Sequence, residues 1–217
     1  MKTNLTIETV ENCRETPWDF GNEVLYNLCK ENFFHVETDK IIAKVWLIGR
    51  SYSAAIERRK NKVAINDNFY EDTVAPAFSN SKIDSYLKTL KNQEKLTIEN
   101  LPMVLETHNY LTQLTASITE LEKRSFCSKY LHFHLPNLFF IYDSRVVDSL
   151  RSFSSRIPKI MEPIMKNEKI DKEYAKFVCK CFELRNKINE YYNIQLTMRE
   201  FDNILIDHAN RKLAKKN

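Results

Sequence analysis

The chain has 217 residues, 43% of them hydrophobic, and a formal net charge of +4 at pH 7. That length supports a sizeable core as one domain or two tightly packed lobes, and the charge falls well short of a strong polyanion binder. Gly21 and Gly49 are the only two glycines, which excludes glycine-rich phosphate loops and argues against all-β folds built on tight hairpins. Long periodic segments with few breakers point to an all-α protein.

Residues 1–16 read as an extended or loosely ordered start. Thr16 and Pro17 fit the cap and first turn of a helix that carries Trp18, Phe20, Val24, Leu25 and Leu28 towards Phe33. Thr38 or Asp39 caps a second helix with Ile41, Ile42, Val45, Trp46 and Ile48, predicted to continue through Gly49 to Arg59. Its small residues at 49, 51, 53, 54 and 55 make a thin face that lets a helix or a ligand approach. Positions 50, 54, 57 and 58 share one side of that helix. Arg50, Glu57 and Arg58 are therefore candidates for holding a phosphate or a flipped nucleotide; the plainer alternative is an Arg50–Glu57 pair at a helix contact.

Shorter helices are predicted over 66–78 and 81–90, and the polar stretch 92–100 reads as a linker. The expected organisation is a single helical domain over 1–217, divisible into lobes of about 1–95 and 96–217 with a cleft between them. Pro102 starts a helix with Val104, Leu105, Leu111, Leu114 and Ile118 that ends in the charged run 120–124. The next helix covers 125–134 and is stopped by Pro136. Asp143 or Ser144 caps a helix through Leu150, a loop surrounds Pro158 and Pro163, and 171–192 is a strong helix. The last helix spans 197–216, with Thr197 and Glu200 as a capping box.

The five cysteines are odd in number, lack framework spacing and follow no leader segment, which places the chain in a reducing cytoplasm. No apolar run approaches the roughly 20 residues of a membrane span, so no membrane partner is expected. His132 and His134, like Cys179 and Cys181, are two residues apart and point to different sides of a helix, so neither pair makes a zinc site. No metal or other cofactor is expected.

The segment 124–146 says the most. Asp143 follows the apolar run 139–142, where a carboxylate is costly unless it is paired or used. Ser128-Lys129-Tyr130-Leu131-His132-Phe133, followed by Phe140-Ile141-Tyr142-Asp143-Ser144-Arg145-Val146, resembles the helix-hairpin-helix superfamily of DNA glycosylases. The resemblance implies a two-lobed multi-helix fold and hydrolysis of the N-glycosidic bond of a damaged or modified base, in DNA repair or phage defence. It implies Asp143 as the catalytic carboxylate and double-stranded DNA with a flipped base as the partner. The chain departs from the family at 121–125, where no glycine hairpin is present; Lys123, Arg124 and Ser125 at a helix start, with Arg145, are the candidate DNA contacts instead. Lyase-competent members carry a lysine about twenty residues before the acid. Here Arg124, nineteen before, stays protonated and is no nucleophile, which suggests a monofunctional enzyme.

Cleaving a glycosidic bond builds positive charge on the sugar, and an ionised Asp143 beside it would stabilise that charge or align a water. Lys129 becomes a nucleophile where desolvation lowers its pKa; otherwise it lies at the surface or pairs with an acid. A flipped base needs aromatic walls and a few polar groups, for which Trp46, Tyr52, Tyr130, Phe133, Tyr142 and His132 are candidates, against core packing as the plainer role. Two other readings stand beside this one. A non-catalytic nucleic-acid-binding module would bind through Arg58, Arg59, Lys123 and Arg124 and weaken steeply with salt. A helical toxin or ribonuclease would depend on His132 or His134.

Overall fold

The computed structural model describes residues 5–57, 68–153 and 156–214. Among them the fold is all-helical, with no strand: α1 (Ile7–Asn12), α2 (Asp19–Glu31), α3 (Thr38–Ser51), α4 (Ala75–Ser79), α5 (Ile83–Leu90), α6 (Leu101–Thr119), α7 (Arg124–His134), α8 (Ser144–Arg151), α9 (Lys172–Tyr192) and α10 (Met198–Ala214). A π-helical turn, Phe69–Val74, runs straight into α4. No helix among the described residues is long and apolar enough to cross a membrane.

The centre is α7. Every residue from Phe126 to His134 is buried, because α2, α3 and α6 pack around it. A helix enclosed on all sides must be apolar or must satisfy its polar groups internally; α7 does both, with Phe126, Tyr130, Leu131 and Phe133 filling space and Ser128, Lys129, His132 and His134 all hydrogen bonded. Truncating Phe126 to alanine would cost about 3–5 kcal/mol. α7 ends where Pro136 requires, with Leu135 as its C-cap. α8 packs on α9 and α10, and α5 packs on α6. The buried apolar residues form one cluster that runs from Leu5 to Leu205.

Two buried clasps fix this arrangement. His35, between α2 and α3, meets Asp84 of α5 through Nδ1 at 2.5 Å and Tyr130 of α7 through Nε2 at 2.6 Å. Burial, only partly offset by Asp84, lowers the His35 pKa, so the ring is neutral: Nδ1–H donates to the carboxylate and Nε2 accepts from the Tyr130 hydroxyl. Lys44 of α3, fully buried, donates to the carbonyls of Asn32 (2.6 Å) and Phe34 (3.2 Å) just past α2, and burial lowers its pKa to about 8.

The structure differs from expectation at several element ends. Residues 7–12 are helical, capped by the Thr6 hydroxyl, rather than extended. Helix α2 starts at Asp19, not at Pro17, because Asp19 accepts from the Thr16 amide and hydroxyl and holds that segment as a turn. Its buried face is Asn22, Leu25 and Cys29, while Trp18, Phe20 and Val24 point outwards. Helix α3 stops at Ser51 instead of reaching 59: Ser53 takes a left-handed φ of 51° and the Ala54 amide turns back to the Gly49 carbonyl. A Cβ on Gly49 would lie 3.2 Å from the Ala55 Cα, so the glycine is what lets the chain fold back this closely. Positions 54, 57 and 58 therefore do not continue a face with Arg50, and Arg58 lies outside the described residues. Helix α6 ends at Thr119, where Glu120 adopts a left-handed cap, ahead of the charged run. The stretch 92–100 is not wholly polar surface: Leu96 is buried, and its amide donates to the Asn137 carbonyl.

Candidate functional site

The connection between α7 and α8 places Lys129 beside Asp143. Lys129 sits one turn into α7, 2% exposed, and its ammonium donates to Ser125 Oγ at 2.6 Å and to the Tyr142 carbonyl at 3.3 Å. Its Nζ lies 3.5 Å from Asp143 Oδ2. Burial pulls the Lys129 pKa below the usual lysine range, against the opposing pull of Asp143 and Asp202. Asp143 is the N-cap of α8: Oδ1 accepts from the Arg145 amide at 3.0 Å and meets Arg145 Nε at 3.5 Å. Burial pushes the Asp143 carboxyl up, but Lys129 and Arg145 outweigh it, so the group is held below its ordinary value and is ionised at neutral pH. The cap uses one oxygen, and the other faces Lys129 on a side chain 23% exposed to solvent.

Further along the same side of α7, His132 lies between the Phe139 carbonyl (Nδ1, 2.8 Å) and the Tyr26 hydroxyl (Nε2, 2.7 Å). Burial lowers its pKa to about 4; the neutral ring donates from Nδ1, so Tyr26 is the donor to Nε2. Phe133 packs against Tyr26 and Tyr52, with ring centroids at 4.8 and 5.4 Å. Tyr52 caps the end of α3 and donates its hydroxyl to Asn22 Oδ1. Above the Tyr52 ring, at 5.6 Å, stands the guanidinium of Arg199 from α10, which donates to Asp202 Oδ2 at 3.2 Å. Asp202 is 3% exposed, and burial raises its carboxyl to about 6, partly offset by Arg199 and Lys129.

The structure thus gathers Asp143, Lys129, Ser125, Arg145 and the Tyr142 backbone at one point, with His132 and Tyr52 further along α7. Other candidates lie apart from it. Arg50 pairs with Glu57, which also accepts from the Tyr70 hydroxyl; the two meet across the turn after α3 rather than along a helix. Trp46 is 45% exposed on α3. Arg124 is held by Asp171 (2.5 Å) and Glu122 (2.9 Å), and its guanidinium lies over the Tyr142 ring at 5.8 Å. It borders an open depression of about 440 Å³ with Asn109, Thr112, Lys172 and Glu173. Lys123 caps α7.

Asn22, Tyr26, Arg199 and Asp202 were not singled out in the sequence. Arg199 and Asp202 did leave a signal: they interrupt the apolar face formed by Met198, Phe201, Ile204 and Leu205. Comparison with models of protein families, with curated proteins and with solved structures finds no match to this chain.

Proposed function

We propose that this chain is a DNA base-excising enzyme in which Asp143 and Lys129 act at C1′ of a nucleotide turned out of the duplex. The observation that carries the reading is the approach of a buried lysine, its pKa lowered by burial, to within 3.5 Å of an ionised carboxylate whose side chain reaches solvent. As the base leaves with the glycosidic electron pair, positive charge develops on the sugar, and Asp143 Oδ2 stabilises it. Substitution at C1′ is completed either by a water that gives its proton to Asp143 or by the Lys129 amine once its ammonium has given a proton to Asp143. The two routes differ in one readout: borohydride traps the protein on DNA only when the lysine has added.

A second reading has its own support. Asp143 Oδ1 caps α8, and Lys129 bonds Ser125 and Tyr142, so the same pair serves as a clasp across the α7–α8 connection. In that case the chain is a non-catalytic nucleic-acid-binding module. Oligonucleotides carrying single modified bases, alkali-treated and run on a denaturing gel, separate the two. Base excision predicts abasic product that Asp143→Asn reduces by about 10²–10³-fold while DNA binding survives. Normal release by Asp143→Asn overturns the excision reading, and absence of product from wild-type protein with retained, salt-sensitive binding favours the module.

A further inference from the structure

Helix α2 gives one side to the core and leaves the other without a partner. Asn22, Leu25 and Cys29 are buried where α2 packs on α3 and α7. On the opposite side Phe20, Val24, Asn27 and Glu31 follow one another at helical spacing, and all four are exposed. Phe20 is 80% and Val24 50% exposed, and Trp18, at the N-cap of the same helix, is 75% exposed. A Cβ on Gly21 would have no heavy atom within 4 Å, so no described element covers the helix there. A surface helix ordinarily turns its apolar residues to the core. Here two aromatic rings and a valine stand in solvent, and such residues inside a polar rim mark an interaction surface. The rim is acidic. Glu15 precedes the helix and Glu23 and Glu31 lie along it, all exposed and in no ion pair among the described residues. Arg14 is answered by Glu200, and Lys30 is the single base within α2. Residues 7–31 hold six acids against Arg14 and Lys30, a local charge of −4 in a chain whose total is +4.

We propose that this side of α2 is a docking surface for a basic amphipathic helical segment of another protein. Aliphatic side chains of the segment lie on Phe20, Val24 and Trp18, and its lysines or arginines meet Glu15, Glu23 and Glu31. Charge selects against the other occupants. Two copies packed antiparallel, with Phe20 on Val24 across a two-fold axis, set Glu23 beside Glu23; packed parallel, they set Glu31 against Glu31. Anionic lipid headgroups and the DNA backbone carry the same sign as the rim. Size agrees with a single helix. Two aromatic side chains bury roughly 300–500 Å² together, short of the roughly 800 Å² that a standard interface between folded proteins buries on each side. The proposal does not rest on the base-excision reading.

The chain has two tryptophans, so the full chain carrying Trp46→Phe emits from Trp18 alone and its fluorescence reports on this surface. The probe is a synthetic helical peptide with leucine on one face and lysine on the other. It is expected to shift Trp18 emission to the blue, to saturate in the micromolar range and to bind more weakly as salt rises. The same peptide with glutamate in place of lysine is expected to bind about tenfold more weakly or worse. Phe20→Gln should lower affinity for the lysine peptide about tenfold, and Glu23→Gln about threefold. Both replace exposed side chains, so their urea midpoints should match the parent's, and the comparison of the two peptides needs neither variant. No Trp18 shift with the lysine peptide, equal binding of the two peptides, or full affinity in a folded Phe20→Gln variant overturns the proposal. A Trp18 shift with phosphatidylglycerol vesicles, or a dimer in sedimentation that Phe20→Gln dissociates, also overturns it by giving the surface to a membrane or to a second copy.

Discussion

Lys129 and Asp143 are fourteen residues apart in the chain and 3.5 Å apart in space, brought together because α7 stops at Pro136 and the chain returns along its own helix before α8 begins. The pair joins a fully enclosed helix to a partly open helix start. Its two members thus have unequal surroundings, and their substitution should have unequal consequences.

Asp143→Ala removes the α8 cap, worth about 1 kcal/mol, and leaves a buried ammonium without its counter-charge. The expected loss is about 2–4 kcal/mol in urea unfolding. Asp143→Asn keeps a good cap and loses only the charge, so its midpoint should fall between those of wild type and the alanine variant. A wild-type midpoint for Asp143→Asn would show that Lys129 does not depend on the Asp143 charge.

Acid should destabilise the protein through its buried histidines. His132 is held at about 4 and His108 at about 3, and His35 and His134 are also lowered, all by burial. Below pH 6.5 the unfolded chain takes up protons that the folded chain refuses. The stability these rings contribute is therefore complete above about pH 6.5 and falls as the pH drops towards 4. His132 alone accounts for about 3 kcal/mol of that fall. Calorimetric melting between pH 7.5 and 4.5 measures it, and His132→Asn should flatten the slope.

Tyr130→Phe deletes the hydroxyl that satisfies His35 Nε2 and leaves a buried acceptor bare. A loss of about 1–3 kcal/mol is expected, with little change in helical circular dichroism, since the ring still fills its place. A wild-type urea midpoint would mean that His35 finds another donor.

Gly49→Ala sets two effects against each other. Alanine favours helix by about 1 kcal/mol. Its Cβ, however, meets the Ala55 backbone at 3.2 Å, inside a turn held by the Ala54–Gly49 hydrogen bond of 2.8 Å. Backbone in such a turn gives way poorly, so a net destabilisation of about 1 kcal/mol is expected, and a more stable variant would show that the turn relaxes.

Features set by neighbours in sequence were legible before any coordinates. Thr197 and Glu200 make the reciprocal capping bonds, at 3.1 and 2.7 Å, and Asp143 caps α8. Features set by packing were not. Trp18, Phe20 and Val24 look like core residues, yet Asn22, Leu25 and Cys29 of the same helix face inwards, and the Tyr52 hydroxyl at the end of α3 takes up the asparagine. The end of α3 carries no proline; it depends on how closely Ala55 approaches Gly49. Asp143 and Lys129 stand out as charges in apolar surroundings, but Arg199 and Asp202 gain meaning only when α10 is laid against Tyr52.

Because α7 has no solvent-facing side, its amides have no local route to deuterium. Their exchange must wait for the whole molecule to open, whereas the turns at 52–54 can exchange through small excursions. The Lys129 amine is thus carried on a segment expected to exchange only when the native state as a whole opens.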